Sequence, residues 1–355
     1  MKKLSDTLSV CEFCYRHVPA IRFERDGGIW LWKKCKWHGE SEHLVEPDAS
    51  FYLNYTYIRK QLESYMIDIT NKCNLTCPNC HQEPNNNSKD LPINFFIDII
   101  SSWPDNGWPV ALCGAEPTIR KDLPEFVEAI NSMPRKKRDI IILTNAVRLA
   151  DENYTQQFIA YNNIYWTIGL NHPEYQGHKV REKQIKGIEN LVKYKQKIKN
   201  ISYTLEILGQ MEYCLEELQE FSKKYCKAFR VRTGVDIGRY PGGPKVYMSD
   251  LVKEMNRVAE KNKWPIEKIN DQGNRAHYAV LINDVPVKII QWPDAQTLDL
   301  REIQTEAFGD FVPNKPASPL IHQIILRDAH INKGLPLYDT IPQEYLDNYG
   351  NHRNQ

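Results

Sequence analysis

Tyr65-Met66-Ile67-Asp68-Ile69-Thr70-Asn71-Lys72-Cys73-Asn74-Leu75-Thr76-Cys77-Pro78-Asn79-Cys80 decides the reading of this chain. An apolar-rich run comes first. Three cysteines follow it, with three residues between the first pair and two between the second. A cube-shaped 4Fe-4S cluster takes cysteine thiolates as its normal ligands. Three cysteines on one loop hold three irons and leave the fourth open to something that is not protein. A closed structural zinc site would want a fourth protein ligand instead. Spacing alone leaves a zinc loop or an inert cluster loop as the alternative.

Pro109-Val110-Ala111-Leu112 reads as a short buried strand ending in Cys113-Gly114-Ala115-Glu116-Pro117-Thr118. Alone, Gly-Ala-Glu-Pro is a turn. Downstream of a three-cysteine strand loop it gains meaning. The pair of motifs resembles the radical S-adenosylmethionine (SAM) enzymes, in which Cys-x3-Cys-x2-Cys follows the first strand of a partial barrel and Gly-Gly-Glu-Pro ends the second. In that family SAM binds the open iron through its amino and carboxylate groups, and an electron from the cluster cleaves it to a 5′-deoxyadenosyl radical. The resemblance implies a 4Fe-4S cluster on Cys73, Cys77 and Cys80. It also implies SAM seated by Gly114, Ala115, Glu116 and Asn145, with Asn171 and Glu206 completing the cofactor set. Ala115 departs from the second glycine of the motif, and a small residue still permits close backbone approach. Asn79 stands where the family usually carries an aromatic residue, a change that alters packing beside the cluster rather than ligation.

Four more strand patterns follow. They are Asp139–Asn145, Asn163–Asn171, Ile201–Leu208 and Ala228–Asp236, with helical periodicity at Leu123–Met133, Glu182–Tyr194 and Leu215–Tyr225. The alternation predicts a parallel α/β unit. Six strands fit the partial (β/α)6 barrel that the resemblance implies, while pattern alone leaves a doubly wound sheet open. Ligand chemistry is expected at the carboxyl ends of the strands, where Cys73, Glu116, Asn145 and Asn171 all fall.

A second constellation lies near the N-terminus. Cys11 and Cys14 form one Cys-x2-Cys pair, and Cys35 and His38 form a Cys-x2-His pair twenty residues on. Three thiolates and an imidazole suit a tetrahedral structural zinc site, and thiolate-rich ligation also admits iron. Between the pairs, Ala20–Glu24 and Ile29–Trp32 read as a hairpin whose turn contains Gly27 and Gly28. With Pro19-Ala20 and His38-Gly39, this segment resembles the N-terminal metal knuckle of the archaeal tetraether lipid synthases and their relatives. Lys36 stands where the common form has proline.

Composition bounds the rest. The chain has 355 residues, 41% hydrophobic, and a formal net charge of +1, so no global field draws nucleic acid or an acidic membrane. The basic runs Pro134–Arg138 and Lys193–Lys199 read as solvated helix ends. No apolar stretch is long enough for a membrane helix, and Met1-Lys2-Lys3 lacks the apolar core of a signal peptide. Most of the nine cysteines sit in or beside metal-like spacing, which favours a reducing cytoplasm over disulfides.

Past Asp236, Gly238–Pro244 is a breaker-rich loop that closes over a site or merely joins segments. Asp250–Lys263 reads as a helix capped by Asp250. His277–Ile282 and Val285–Ile290 read as a hairpin, with Pro286 marking an edge strand. One further helix is expected at Leu320–His330. The tail holds no cysteine, which argues against an auxiliary-cluster domain. The expected organisation is a metal-binding unit over residues 1–60, a core over 61–240 and an extension over 241–355. His172, His178, Arg232, Arg239 and Tyr240 gather near the strand ends as candidates for a polar or anionic substrate.

The expected function is reductive cleavage of SAM and hydrogen abstraction from an unreactive carbon of a polar small molecule or peptide. A flavodoxin-like or ferredoxin-like reductant is implied by the family. Radical methylation or carbon–carbon coupling on a large substrate is one alternative. A metal-stabilised binding protein without turnover is the other; loss of a core cysteine or of Glu116 would have favoured it.

Overall fold

The computed structural model describes residues 1–13, 17–54, 65–78, 80, 84–102, 107, 109–134, 138–226, 228–233, 246–268, 277–290, 296–297 and 299. Cys14, Asn79, Arg239, Tyr240, the loop 238–244 and the expected helix 320–330 lie outside these residues.

The N-terminal unit is an antiparallel meander of β1 (Lys2–Val10), β2 (His17–Arg25), β3 (Gly28–Cys35) and β4 (Gly39–Glu46), paired in that order. The expected hairpin is its centre. Its turn is Asp26-Gly27 rather than Gly27-Gly28: Asp26 and Gly27 have φ of 52° and 76°, and Gly28 already pairs with Arg25. Two successive positive φ values make the primed turn that matches strand twist, and Asp-Gly is a favoured pair for it. A short helix, α1 (Ala49–Asn54), follows, and Tyr52 and Ala49 pack on Ile29.

The second sheet contains β5 (Tyr65–Asp68), β6 (Val110–Cys113), β7 (Ile140–Thr144), β8 (Ile164–Asn171), β9 (Lys197–Leu205), β10 (Phe229–Thr233), β11 (Ile266–Lys268), β12 (His277–Ile282) and β13 (Val285–Ile290). The spatial order is β11-β12-β13-β10-β9-β8-β7-β6-β5, and β5 to β10 are all parallel neighbours. A doubly wound sheet reverses its strand order at a switch point. Here six strands run in sequence order without reversal, so the alternative left open by pattern is excluded. The sheet winds one way, as a partial barrel does, and among the described residues it does not close.

Between the strands lie α2 (Ile93–Ser102), α3 (Leu123–Asn131), α4 (Glu152–Gln156), α5 (Pro173–Gln176), α6 (His178–Lys193), α7 (Met211–Lys224) and α8 (Met248–Lys261). Leu123, Phe126, Val127 and Ile130 bury one stripe of α3 at helical spacing. On β8, Ile164, Trp166, Ile168 and Leu170 alternate into the layer shared with the helices, while Tyr165 packs with Ala111, Cys113 and Ile141 on the other face. Helix α6 differs in burying Arg181 and Gln184 in its first turns. That polar stripe sits over the strand ends.

Three local readings are corrected. Asp250 is not the cap of α8; it is the third helical residue and accepts the Tyr247 backbone N–H at 3.2 Å, a capping-box role. Strand β13 is not an edge, because it lies between β10 and β12. Pro286 is tolerated because the β10 ladder begins one residue later, at Phe229 opposite Val287. Arg138, assigned to a solvated basic run, is buried just before β7.

Candidate active site and metal centre

The first strand pair of the barrel continues past its own ends. The Ile69 N–H donates to the Cys113 carbonyl, Ala115 N–H to Thr70 carbonyl, and Glu116 N–H to Lys72 carbonyl, each at 3.0 Å. This ladder carries the cysteine loop alongside Gly-Ala-Glu-Pro. Gly114 sits at φ 117°, and a Cβ there would lie 2.3 Å from the Thr70 carbonyl oxygen. Only glycine fits that approach.

Glu116 is buried, and its carboxylate is taken up inside the protein. Oε1 accepts Thr118 Oγ1 at 2.5 Å, Thr144 Oγ1 at 2.6 Å and the Thr118 N–H at 3.2 Å; Oε2 accepts the Asn145 N–H at 2.7 Å. Burial raises its pKa, and these donors oppose the rise. Glu116 thus ties the end of β6 to the end of β7. Asn145 in turn donates Nδ2 to Asn74 Oδ1 at 2.7 Å and lies 3.9 Å from Cys73 Sγ.

Below the loop, buried Arg120 donates to the carbonyls of Ile69 (2.7 Å) and Leu91 (3.1 Å) and pairs with Asp122. Asp90 takes Thr70 Oγ1 at 2.7 Å and Lys72 Nζ at 3.0 Å, while Asn86 Oδ1 accepts the Cys73 N–H at 2.9 Å. Asn86, Asp90 and Arg120 carry no catalytic signature, and sequence reasoning passed over them.

None of the described cysteines is in a disulfide. Cys73, Cys77 and Cys80 are half-buried on this loop. Burial pushes the Cys73 thiol up to about 12, reinforced by the charges of Glu116, Cys80 and Cys77. A cationic iron–sulfur core relieves such a cluster of acidic groups, so the donor set fits it. Backbone and side-chain N–H groups already face the sulfurs: Leu75 N–H reaches Cys73 Sγ at 3.3 Å, and Gln176 Nε2 reaches Cys77 Sγ at 3.4 Å.

The remaining predicted residues fall as follows. Asn171 ends β8; its carbonyl accepts Arg181 Nη2, and its N–H donates to Gln176 Oε1 at 3.4 Å. Glu206 follows β9 directly and is buried, and burial lifts its carboxyl from 4.5 to about 7. His172 caps α5, with its Nδ1 accepting the Glu174 N–H at 3.4 Å and its ring edge-on to Tyr213 at 4.7 Å. Burial lowers its pKa. His178 is exposed at the start of α6. Arg232 donates Nε to Thr204 Oγ1 at 2.9 Å, and it is within electrostatic reach of Cys80. His172 and His178 therefore lie at the α5–α6 corner, while Arg232 shares the strand-end region with the cysteine loop.

The N-terminal centre assembles at one end of the meander. Cys11 follows β1, Cys35 ends β3, and His38 lies in the β3–β4 turn. Cys11 Sγ and Cys35 Sγ each lie 3.4 Å from His38 Nδ1, and the three ligand atoms fall within 4.8 Å of one another. Tetrahedral zinc with ordinary Zn–S and Zn–N bonds would separate S from N by about 3.6 Å. The geometry therefore fits a metal. Burial opposes ionisation of Cys35, but the N–H groups of Trp37 and His38 and the His38 side chain bring its thiol down to about 6. Beside it, Glu12 holds buried Lys33 at 2.6 Å and His43 at 2.8 Å.

Residues 67–224 match the family model of the radical SAM superfamily. These residues are a radical SAM domain. Residues 3–47 match the HMPTM N-terminal zinc ribbon domain, so the meander is a zinc ribbon joined to it. Among curated proteins, the chain is 27% identical over 183 residues to the 7,8-dihydro-6-hydroxymethylpterin dimethyltransferase of Methanocaldococcus jannaschii, covering 42% of this chain and 36% of the relative. It is 34% identical over 101 residues to a probable GTP 3′,8-cyclase of Methanococcus maripaludis, covering 28% and 33%. It thus spans about a third of the length of these curated relatives. Among solved structures, Streptococcus suis SuiB bound to precursor peptide SuiA aligns with a TM-score of 0.47 at 19% identity, over 61% of this chain and 49% of that one. The radical SAM domain implies a 4Fe-4S cluster and SAM, and the ribbon implies a metal ion. No helix among the described residues is long and apolar enough to cross a membrane.

Proposed function

We propose that this chain is a radical SAM enzyme whose cluster is held by Cys73, Cys77 and Cys80, with SAM against Gly114, Ala115, Glu116, Asn145, Asn171 and Glu206. The observation that carries this reading is the ladder joining the cysteine loop to Gly-Ala-Glu-Pro, since it brings the two motifs together at the carboxyl ends of β5 and β6. When bound, the cluster and SAM supply reductive cleavage of the sulfonium and hydrogen abstraction from an unreactive carbon.

The protein's own part is orientation. With its carboxylate engaged by Thr118, Thr144 and Asn145, Glu116 acts by fixing backbone around the SAM site. Asn145 has its Oδ1 on the Val147 N–H and its Nδ2 on Asn74, which holds the third strand end against the cysteine loop. Arg232 supplies a cation for a polar or anionic substrate, a small molecule or a peptide side chain. Arg232→Ala is expected to impair substrate turnover more than uncoupled SAM cleavage; equal loss of both would place Arg232 in the SAM site or the fold.

One observation favours a second outcome, radical methyl transfer. The ribbon is of the HMPTM type, and a pterin dimethyltransferase is among the relatives of the chain. A pterin-like heterobicycle is then the substrate to try first. In the ribbon, zinc on Cys11, Cys14, Cys35 and His38 is the ion expected for a closed structural centre, with iron as the thiolate-compatible alternative. The reductant is flavodoxin-like or ferredoxin-like and the setting cytoplasmic. The unit boundaries are 1–60, 61–240 and 241–355. Electron paramagnetic resonance of the reduced protein tests SAM ligation: the signal is expected to change on adding SAM, and an unchanged signal from an intact cluster sinks the reading.

A further inference from the structure

Gln176 is the last residue of α5, one turn of helix between β8 and α6. Its amide is held at both ends. Oε1 faces the Asn171 backbone N–H at 3.4 Å, and Nε2 faces Cys77 Sγ at 3.4 Å. A backbone N–H only donates, so the amide oxygen must point to Asn171 and the NH2 group to the sulfur. The opposite flip would set donor against donor and acceptor against thiolate.

The corner carrying Gln176 is built to hold it there. His172 caps α5 through Nδ1 and is braced edge-on by Tyr213 at 4.7 Å. The His172 carbonyl accepts the Gln176 N–H at 3.2 Å, and the Gly177 N–H closes the turn on the Pro173 carbonyl at 2.6 Å. Arg181, buried on α6, donates to the Asn171 carbonyl and to Tyr203 Oη at 3.1 Å. Two residues that sequence reasoning gave to the substrate and cofactor, His172 and Asn171, thus converge on one amide.

We infer that Gln176 is a positioning residue for the cluster, whose side-chain N–H donates to the Cys77 thiolate and raises the cluster's reduction potential. The inference rests on Cys77 being a cluster ligand. On reduction the cluster takes one electron from a low-potential donor, and no bond in the protein breaks. The added negative charge spreads onto the ligand sulfurs, so a donor N–H stabilises the reduced state more than the oxidised one. Removing that donor therefore lowers the potential.

The test is an anaerobic redox titration of the reconstituted full chain, followed by electron paramagnetic resonance. Gln176→Met keeps length without an N–H, and Gln176→Glu replaces the donor with an acceptor. At a fixed potential the reduced-to-oxidised ratio is expected to fall about three- to tenfold in Gln176→Met and further in Gln176→Glu, tenfold being about 59 mV for one electron. Equal potentials with full iron content in all three proteins overturn the inference. So does loss of the cluster from both variants while the chain stays folded, because Gln176 would then govern assembly. Glutamine labelled with nitrogen-15 gives a readout without any variant. A coupled side-chain nitrogen is expected in the reduced protein, and its absence overturns the hydrogen bond. An unsubstituted chain that binds no cluster fails the reading of Cys77 instead, and that outcome shows in iron and sulfide analysis before any titration.

Discussion

At the scale of single residues, Gly114 and Glu206 make opposed demands on the polypeptide. Gly114 needs an unusual backbone angle and has no room for a Cβ, so Gly114→Ala should cost about 3 kcal/mol or more through strain and the clash with Thr70. Urea unfolding reads the loss, and iron content after reconstitution should fall with it; unchanged stability would mean the β5–β6 ladder is not as close as described. Glu206 carries a carboxyl raised by burial from 4.5 to about 7. The folded state holds that proton more tightly than the unfolded one. Its contribution is therefore complete below about pH 4.5 and is lost as pH rises through 7. In the SAM-free protein, Glu206→Gln should match the natural chain near pH 4 and exceed it by about 3 kcal/mol above pH 8. Parallel stability curves would refute the shift. Of these residues, the sequence announced Gly114 through its motif. Gln176, Arg120 and Asn86 were silent, because their role comes from tertiary contacts rather than from motif spacing.

At the scale of elements, parallel strands were legible wherever both faces are covered. Val110–Cys113 and Ile140–Thr144 are nearly continuous apolar runs, as burial on two sides requires. By contrast, β1 and β4 are polar edge strands, Lys-Lys-Leu-Ser-Asp-Thr-Leu-Ser-Val and Gly-Glu-Ser-Glu-His-Leu-Val-Glu, and their weak alternation hid them. Helix α5 is a single turn, too short to show a period. The ribbon has a small core of Val18, Ala20, Phe23, Ile29 and Leu31, so its metal should carry much of its stability. Stripping the metal with a chelator should speed amide exchange in β1–β4 while leaving β7–β9 protected. Equal loss of protection in both sheets, or in neither, would contradict a separately metal-stabilised ribbon.

At the scale of the whole molecule, the ribbon and the C-terminal extension are joined by carboxylates, of which Glu46 and Asp299 are buried. Glu46 at the end of β4 accepts Ser249 Oγ and the Ser249 N–H at the start of α8. Burial raises its pKa. Asp48 pairs with Lys253 at 3.0 Å, and Asp299 takes Thr7 Oγ1 at 2.6 Å and Arg22 Nη2. The extension beyond the barrel thus returns to the ribbon. Ser249→Ala removes one donor from a buried carboxylate and should cost about 1–3 kcal/mol in chemical denaturation; no change would mean the seam contributes nothing to stability. Nothing in the sequence marked Ser249 or Asp299, since the residues they meet lie more than two hundred positions away.

The proposed reaction centre joins the three cysteines to the Gly-Ala-Glu-Pro turn. Anaerobic reconstitution with iron, sulfide, SAM and dithionite, followed by chromatography for 5′-deoxyadenosine, tests it most directly. The unsubstituted chain should release 5′-deoxyadenosine, and Cys73→Ala, Cys77→Ala and Cys80→Ala should release none. An intact cluster in the unsubstituted chain with no 5′-deoxyadenosine would contradict the account.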